Sequence, residues 1–425
     1  MIAAVATYRP GVALSALFCN FALEQWGQSQ VEFFSDHPAL TNYLTAGVVA
    51  WAVLMQLVRF GAWWVLRQYS TVGWLTLALL GYAAVSTLWS LVDDAKEGYI
   101  NALPYIITYT LLCPLVVTRA KDLHDGFVAT LILGSLLLVL LLTTSTWGYR
   151  QVIIYSLVRG GTAGGNPLAI GSMAGYVILL AALMNTRRLK TLWNLIRWPL
   201  VLLGMVLCVL SQSRGQVFGA LIAFVCALPI SRRLKGSQGI AGVMVGLVVM
   251  SLFTFWTISE FAIAERWEYG AMRDSVEGGR VNKTFEVLEY WGNSGPMRWI
   301  FGLGNSASFS TDVIGFYPHN LPGEVLGEEG IVGFSIYVAI LVALVRALRR
   351  LWFAVAPYDD ARGLFAVLCA LLIYEFILSN KQGSLLGNQE FFGLTIIAGQ
   401  LSVAVQRHVM STRPAAGRAL HPLTT

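Results

Sequence analysis

"VLLGMVLCVLSQSRGQVFGALIAFVCALPI", residues 201–230, consists of two apolar runs that nearly touch across the short polar stretch Ser211–Gly215, with Arg214 inside it. Each run is long enough to be most of a membrane helix. A cation so close to hydrocarbon is costly unless a partner or water meets it. The two runs therefore read as membrane helices joined at a membrane surface, and Arg214 as a residue with a task there.

The rest of the chain repeats the pattern. Of its 425 residues, 56% are hydrophobic and only 12% charged, with a mean hydropathy of +0.64. Aqueous domains carry about twice that charge fraction. Crossing the hydrocarbon takes about 20 apolar residues, and twelve runs qualify, centred on 10–23, 40–58, 72–91, 101–118, 127–144, 168–184, 196–211, 215–230, 239–257, 331–347, 363–379 and 389–406. The fold expected is all-α and polytopic: spans one to nine in residues 1–257, a large loop with amphipathic helices in 258–330, spans ten to twelve in 331–406, and a tail over 407–425.

An even number of spans puts both termini on one side. With both ends cytoplasmic, most of the 29 Lys and Arg fall inside, among them Arg59, Arg119, Lys121, Arg187, Arg188, Arg232, Arg233, Arg346 and Arg349. That is the asymmetry membrane insertion imposes. The outer loops instead hold Glu24, Glu32, Asp36, Asp93 and Asp94. Met1–Arg9 lacks the basic start of a cleavable signal. The net charge of +6 does not point to nucleic acid, because the cations sit in short clusters between apolar runs rather than on one face. The five cysteines lie inside apolar runs without metal-ligand spacing and read as small buried hydrophobes.

The 258–330 loop is long for a compact protein, and such loops usually carry function. Within it, Val281, Phe285 and Leu288 fall at helical spacing, which predicts a helix lying against the membrane domain. There is no Walker A loop, HExxH or GxSxG, and "GLGNSASFS" at 302–310 lacks the strand and helix a nucleotide loop requires. What remains is a set of cations on the outer face with one histidine: Arg150, Arg159, Arg214, Arg280 and His319. Guanidinium groups gathered at a membrane surface suit a lipid phosphate or pyrophosphate, which they bind in bidentate fashion. A neutral histidine, with an ordinary pKa of about 6.5, can accept a proton from a hydroxyl. Group transfer from a lipid-linked phosphate donor follows from the pair. Each residue also has a plainer reading: Arg159 as a helix cap or headgroup contact, Arg150 as an interfacial anchor beside Trp147 and Tyr149, Asp93 and Asp94 as solvated loop rather than a chelating pair.

Several of these stretches resemble the O-antigen ligase (WaaL) family, within the wider group that includes O-antigen polymerases. "SQSRGQVFGALIA" is similar to its serine-rich SRG stretch opening a membrane helix. "GGRVNKTFEVLEYW…FGLGNS" is similar to its arginine followed by an aromatic helix and a GxG turn, and "HNLPGEVLGEEGIVGF" to its HN motif followed by Glu and paired glycines. "SLVRGGTAGGNPLAIG" and "VSTLWSLVDD" are weaker echoes, and the likeness covers roughly residues 80–345. One departure is the Pro322–Gly323 pair after Leu321, where a bulky apolar residue is usual. The resemblance implies a GT-C-like membrane glycosyltransferase of the bacterial inner membrane with a periplasmic active site, metal-independent and inverting, with no cofactor. It implies a glycan on undecaprenyl pyrophosphate as donor and the lipid A core as acceptor. Arg214, Arg280 and Arg159 would hold the pyrophosphate, and His319 would orient or deprotonate the acceptor hydroxyl. The motifs leave ligase and polymerase unseparated. A transporter is a further reading, against which the membrane centres are nearly free of charge, Glu375 excepted.

Overall fold

The long apolar runs are helical, as segments in hydrocarbon must be to satisfy their own amides. The structure is a computed structural model, and it describes residues 1–61, 69–148, 151–158, 160–184, 190–231, 236–261, 281–382 and 384–412. In chain order the principal helices are α1 (Asn20–Gln30), α2 (Leu40–Phe60), α3 (Thr71–Ser86), α4 (Ala95–Ile106), α5 (Ala120–Thr144), α6 (Pro167–Leu183) and α7 (Lys190–Leu210). They continue with α8 (Arg214–Ser231), α9 (Gly236–Phe261), α10 (Val281–Asn293), α11 (Pro296–Phe301), α12 (Leu321–Val355), α13 (Asp359–Ser379) and α14 (Gln389–Thr412). Among the described residues, eight helices are long and apolar enough to cross a membrane, and α6 is a shorter apolar helix. The protein is an all-α polytopic membrane protein.

The first expected span, 10–23, differs from the rest. It is built from short pieces, Pro10–Val12, Ala13–Phe18 and the start of α1, with a break at Cys19. These residues are almost all buried in protein. Asn20, buried at the break, donates to the Asn42 amide oxygen at 2.5 Å and accepts from the Thr45 hydroxyl at 2.7 Å. A buried amide must find such partners, so an apolar run with Asn20 inside it is held within the bundle. Four of the five cysteines are buried as expected, while Cys226 lies on an exposed helix face.

A three-stranded antiparallel sheet follows α5: β1 (Ser145–Gly148), β2 (Gln151–Tyr155) and β3 (Thr162–Gly165), in the order β1-β2-β3. Its central strand, QVIIY, alternates exposed and buried side chains, turning Val152 and Ile154 inward. That period of two fits a strand with one buried face. Gln30 of α1 fastens the sheet, donating to the Tyr155 carbonyl at 2.8 Å and accepting from the Leu157 amide at 2.7 Å. The sheet is the element absent from the sequence expectation.

α12 spans 35 residues but is broken at Gly330, whose φ of 64° and ψ of −166° are not helical. An unbroken helix would use the carbonyls of Gly327 and Glu328 to bind amides four residues on. The break frees them, and the 302–304 turn takes both: the Leu303 amide donates to the Gly327 carbonyl at 3.0 Å and the Gly304 amide to Glu328 at 2.8 Å. The crossing requires glycine. Gly302 sits at φ +85°, and a methyl group there would stand 2.0 Å from the Glu328 carbonyl oxygen.

Candidate functional site

The Ser211–Gly215 turn is built from within the bundle. Ser213 donates to the Pro167 carbonyl at 3.1 Å, the Cys208 thiol donates to the Gly171 carbonyl at 3.3 Å, and Gln212 donates to the Gly148 carbonyl of β1. Ser211, Gln212 and Ser213 are all buried. Gln212 adopts φ 53°, a left-handed conformation that turns the chain into α8. Arg214 is the first residue of α8 and is half-buried. It therefore shares its position with the positive end of a helix dipole, which favours an anion.

A second cation joins it. The Lys381 side chain lies across Gly215, so close that a methyl group there would stand 2.0 Å from its Cδ. Its Nζ donates to Gln216 Oε1 at 2.9 Å, and Gln216 Nε2 donates to Gln382 Oε1 at 2.9 Å. The glycine of the SRG motif is thus where this lysine passes. Sequence reading missed Lys381 because only the pairing of α8 with α13, 165 positions apart, brings it here.

His319 lies on the turn before α12. Its φ is 59°, and its ring meets Tyr317 edge-on with centroids 4.2 Å apart and Phe316 at 5.9 Å. The Asn320 side chain accepts from the Gly323 amide at 2.8 Å and caps α12, with Pro322 in the first turn where its missing N–H is harmless. The glycine of the Pro322–Gly323 pair has a packing role. Gly323 and Gly327 open a groove into which Thr284 and Val287 of α10 fit, each within 2.5 Å of where a side-chain carbon would start. The Thr284 hydroxyl then donates to the Pro318 carbonyl at 3.3 Å. α10 is a helix, as its spacing predicts, but the buried residue is Val287 while Phe285 is exposed. The glycine groove of α12 chooses that face, which the periodicity of α10 alone does not reveal.

Three glutamates secure this end of α12. Glu328 accepts from the Ser306 amide at 2.7 Å, the Ser308 amide at 3.0 Å and the Ser308 hydroxyl at 2.5 Å. Glu329 accepts from the Asn305 side chain at 3.2 Å, and Glu324 from the Leu385 amide at 2.7 Å. Asn305 is also tied to α3, its amide donating to Ser86 and its carbonyl accepting from Ser90. The "VSTLWSLVDD" and "GLGNS" stretches are therefore neighbours, and the glycine-rich turn serves this crossing.

One cavity of about 240 Å³ lies one residue removed from each turn, and neither Arg214 nor His319 lines it. Gln382, the partner of Gln216, lines it, and so does Tyr317, the ring against His319. Arg280, Arg159 and Arg150 lie outside the described residues; Arg280 directly precedes α10, whose Thr284 touches the Pro318 carbonyl. Asp94 lines a separate groove of about 480 Å³ with Ser306, Phe309 and Gly387. Among the described residues, no three His, Cys, Asp or Glu side chains are grouped to hold a metal ion.

This architecture and geometry define a polytopic helical membrane protein with cationic and titratable turns at one end of its bundle. No family model matches the chain, and no curated protein is similar enough in sequence to count as a relative. Among solved structures it is similar to a chain of a peptidoglycan synthase complex described for coordinating polymerization and crosslinking. The two share 14% sequence identity over 81% of this chain and 99% of the other, with a TM-score of 0.43.

Proposed function

We propose that the protein is an O-antigen ligase, transferring a glycan from undecaprenyl pyrophosphate to a sugar hydroxyl of the lipid A core at the periplasmic face of the inner membrane. The observation that supports this reading is that each turn reaches the same cavity through one neighbour, Gln382 bonded to Gln216 beside SQSRG and Tyr317 against His319 of PHN. Arg214, with Arg280 and Arg159, holds the pyrophosphate, and Lys381 adds positive charge beside Arg214. His319 takes the proton of the acceptor hydroxyl.

The reaction balances with those groups. The acceptor oxygen attacks the anomeric carbon and forms the new glycosidic bond with inversion. The bond from that carbon to the pyrophosphate oxygen breaks, its electron pair leaves on the pyrophosphate, and the arginines stabilise the growing charge. The hydroxyl proton passes to the His319 imidazole. No metal is called upon.

The test uses purified protein, a lipid-linked glycan donor and core acceptor, with product followed on a gel in the presence and absence of EDTA. Transfer should persist in EDTA and vanish in His319→Ala. Near-normal transfer by that variant, or its loss in EDTA, overturns the mechanism. A strain lacking the gene should accumulate long glycan on the lipid carrier and attach none to core. Core bearing a single repeat unit would instead identify a polymerase.

A further inference from the structure

The 240 Å³ cavity holds more acid than the transfer reaction uses. Glu375 and Glu390 both line it, together with Tyr176, Phe21, Tyr317 and Gln382. Glu375 lies four residues before the end of α13, about 6 Å below it at 1.5 Å per residue, and is buried. One of its oxygens accepts from the Tyr176 hydroxyl at 2.6 Å. The Tyr176 ring is in turn fixed between Phe18 at 5.2 Å and Tyr374 at 5.8 Å. Glu390 is half-buried, takes a hydrogen bond from its own backbone amide, and lines the cavity.

We propose that this cavity binds a protonated primary amine, with Glu375 and Glu390 as its carboxylate partners and the aromatic rings as its walls. Two carboxyl groups lining one cavity can both be ionised there only beside a cation, since charge held away from water is costly until it is paired. No Lys, Arg or His is among the described residues lining the cavity. Lys381 donates to Gln216 and lies over Gly215. A neutral polyhydroxyl ligand would leave both carboxylates uncompensated, whereas an ammonium pairs with them and is further stabilised by aromatic faces. The space far exceeds the roughly 15 Å³ that one water needs. It also has an entrance: Gly387 lines both this cavity and the 480 Å³ groove beside Asp94. An amine carried on a larger molecule, an amino sugar or an ethanolamine headgroup, can therefore reach the carboxylates while its bulk stays in the groove.

The inference does not depend on the transfer reading, because binding is measured without donor or acceptor. Full-length protein in detergent is titrated calorimetrically with glucosamine, glucose and ethanolamine. Glucosamine and ethanolamine should bind and glucose should not. Glu375→Gln and Glu390→Gln should each weaken glucosamine by about tenfold or more, the scale of a charge-assisted hydrogen bond. Gly387→Trp provides a second variant that leaves the carboxylates untouched. Its side chain starts in open space, with Ser384 Oγ at 3.4 Å as its nearest neighbour, and should weaken binding by narrowing the entrance. Native mass spectrometry from phosphatidylethanolamine or phosphatidylglycerol nanodiscs separates the sources. Selective retention of the ethanolamine lipid, displaced by glucosamine, marks a headgroup site; glucosamine binding without lipid retention marks an amino-sugar site. Equal binding of glucose and glucosamine, undiminished binding in both carboxamide variants, or no amine binding by folded protein would each overturn the proposal.

Discussion

The Ser211–Gly215 turn and the Pro318–Gly323 turn do similar things by different means. Each leads into a long apolar helix, and each contains a non-glycine residue with positive φ, Gln212 at 53° and His319 at 59°. The first is fastened to the bundle interior through Pro167, Gly171 and β1. The second is fastened by its own cap and by α10, through Thr284 and the glycine groove of α12. A cation that must stay fixed against a small anion belongs in the stiff interior, where packing leaves few alternatives. A residue that must meet a large acceptor belongs on a turn held by few local bonds. On the proposed reading, the contrast divides donor from acceptor.

The largest effects should come from the two residues themselves and should differ in kind. Arg214→Ala should abolish transfer and weaken donor binding, because a charge-assisted bond to phosphate is worth about 1.5 to 3 kcal/mol. Arg214→Lys should restore only part of it, since one ammonium cannot reproduce a bidentate fork. His319→Ala should abolish transfer while lipid-linked donor still binds. If His319→Ala loses donor affinity as severely as Arg214→Ala, the division between the turns is wrong.

The crossing beneath the second turn ranks next. Gly302→Ala must place a methyl group 2.0 Å from the Glu328 carbonyl at a φ of +85°. Strain of that kind costs about 1 to 3 kcal/mol before the collision is counted. The detergent-solubilised protein should melt several degrees lower, and transfer should fall with the loss of the folded 302–308 turn. Glu328→Ala, which leaves the donors of Ser306 and Ser308 unmatched, should act in the same direction. An unchanged melting midpoint in both variants would show that the crossing does not hold the turn.

A smaller effect is expected at Lys381. Lys381→Met keeps the stem across Gly215 and removes the charge beside Arg214. Donor affinity should fall by less than in Arg214→Ala, with the melting midpoint nearly unchanged. The contrast with Arg214 is informative because the lysine already donates to Gln216.

What the chain disclosed in advance follows a physical division. Hydropathy marks helices because hydrocarbon demands long apolar segments, and α2, α3, α5, α8 and α13 lie where the runs lie. The sheet was hidden because five residues of alternating burial, Gln151–Tyr155, are too short to stand out among continuous apolar runs. Glu324, Glu328 and Glu329 fall within the expected 258–330 loop, yet they are buried acceptors for backbone and side-chain donors from 305–308 and 385. Their partners are distant in sequence, so spacing carries no trace of them. The same holds for Lys381 over Gly215. Arg214 stood out because it interrupts apolar runs, and His319 because it is the one histidine of the 258–330 loop.

The smallest expected effect tests how far α10 governs His319. Thr284→Val keeps the shape that fills the groove at Gly323 and removes the hydroxyl that donates to the Pro318 carbonyl at 3.3 Å. A neutral hydrogen bond of this kind contributes about 0.5 to 1.5 kcal/mol, so the melting midpoint should move by no more than a few degrees. Donor affinity should change less than transfer, because the bond removed goes to the Pro318 carbonyl and Arg214 is untouched. Transfer should fall several-fold, with the loss appearing in kcat and the acceptor KM, since the carbonyl released adjoins His319. Thr284→Ser, which keeps the hydroxyl and loses a methyl group, should recover most of the rate. A Thr284→Val protein as active as wild type would mean that the Asn320 cap and the rings of Phe316 and Tyr317 hold the histidine without help from α10.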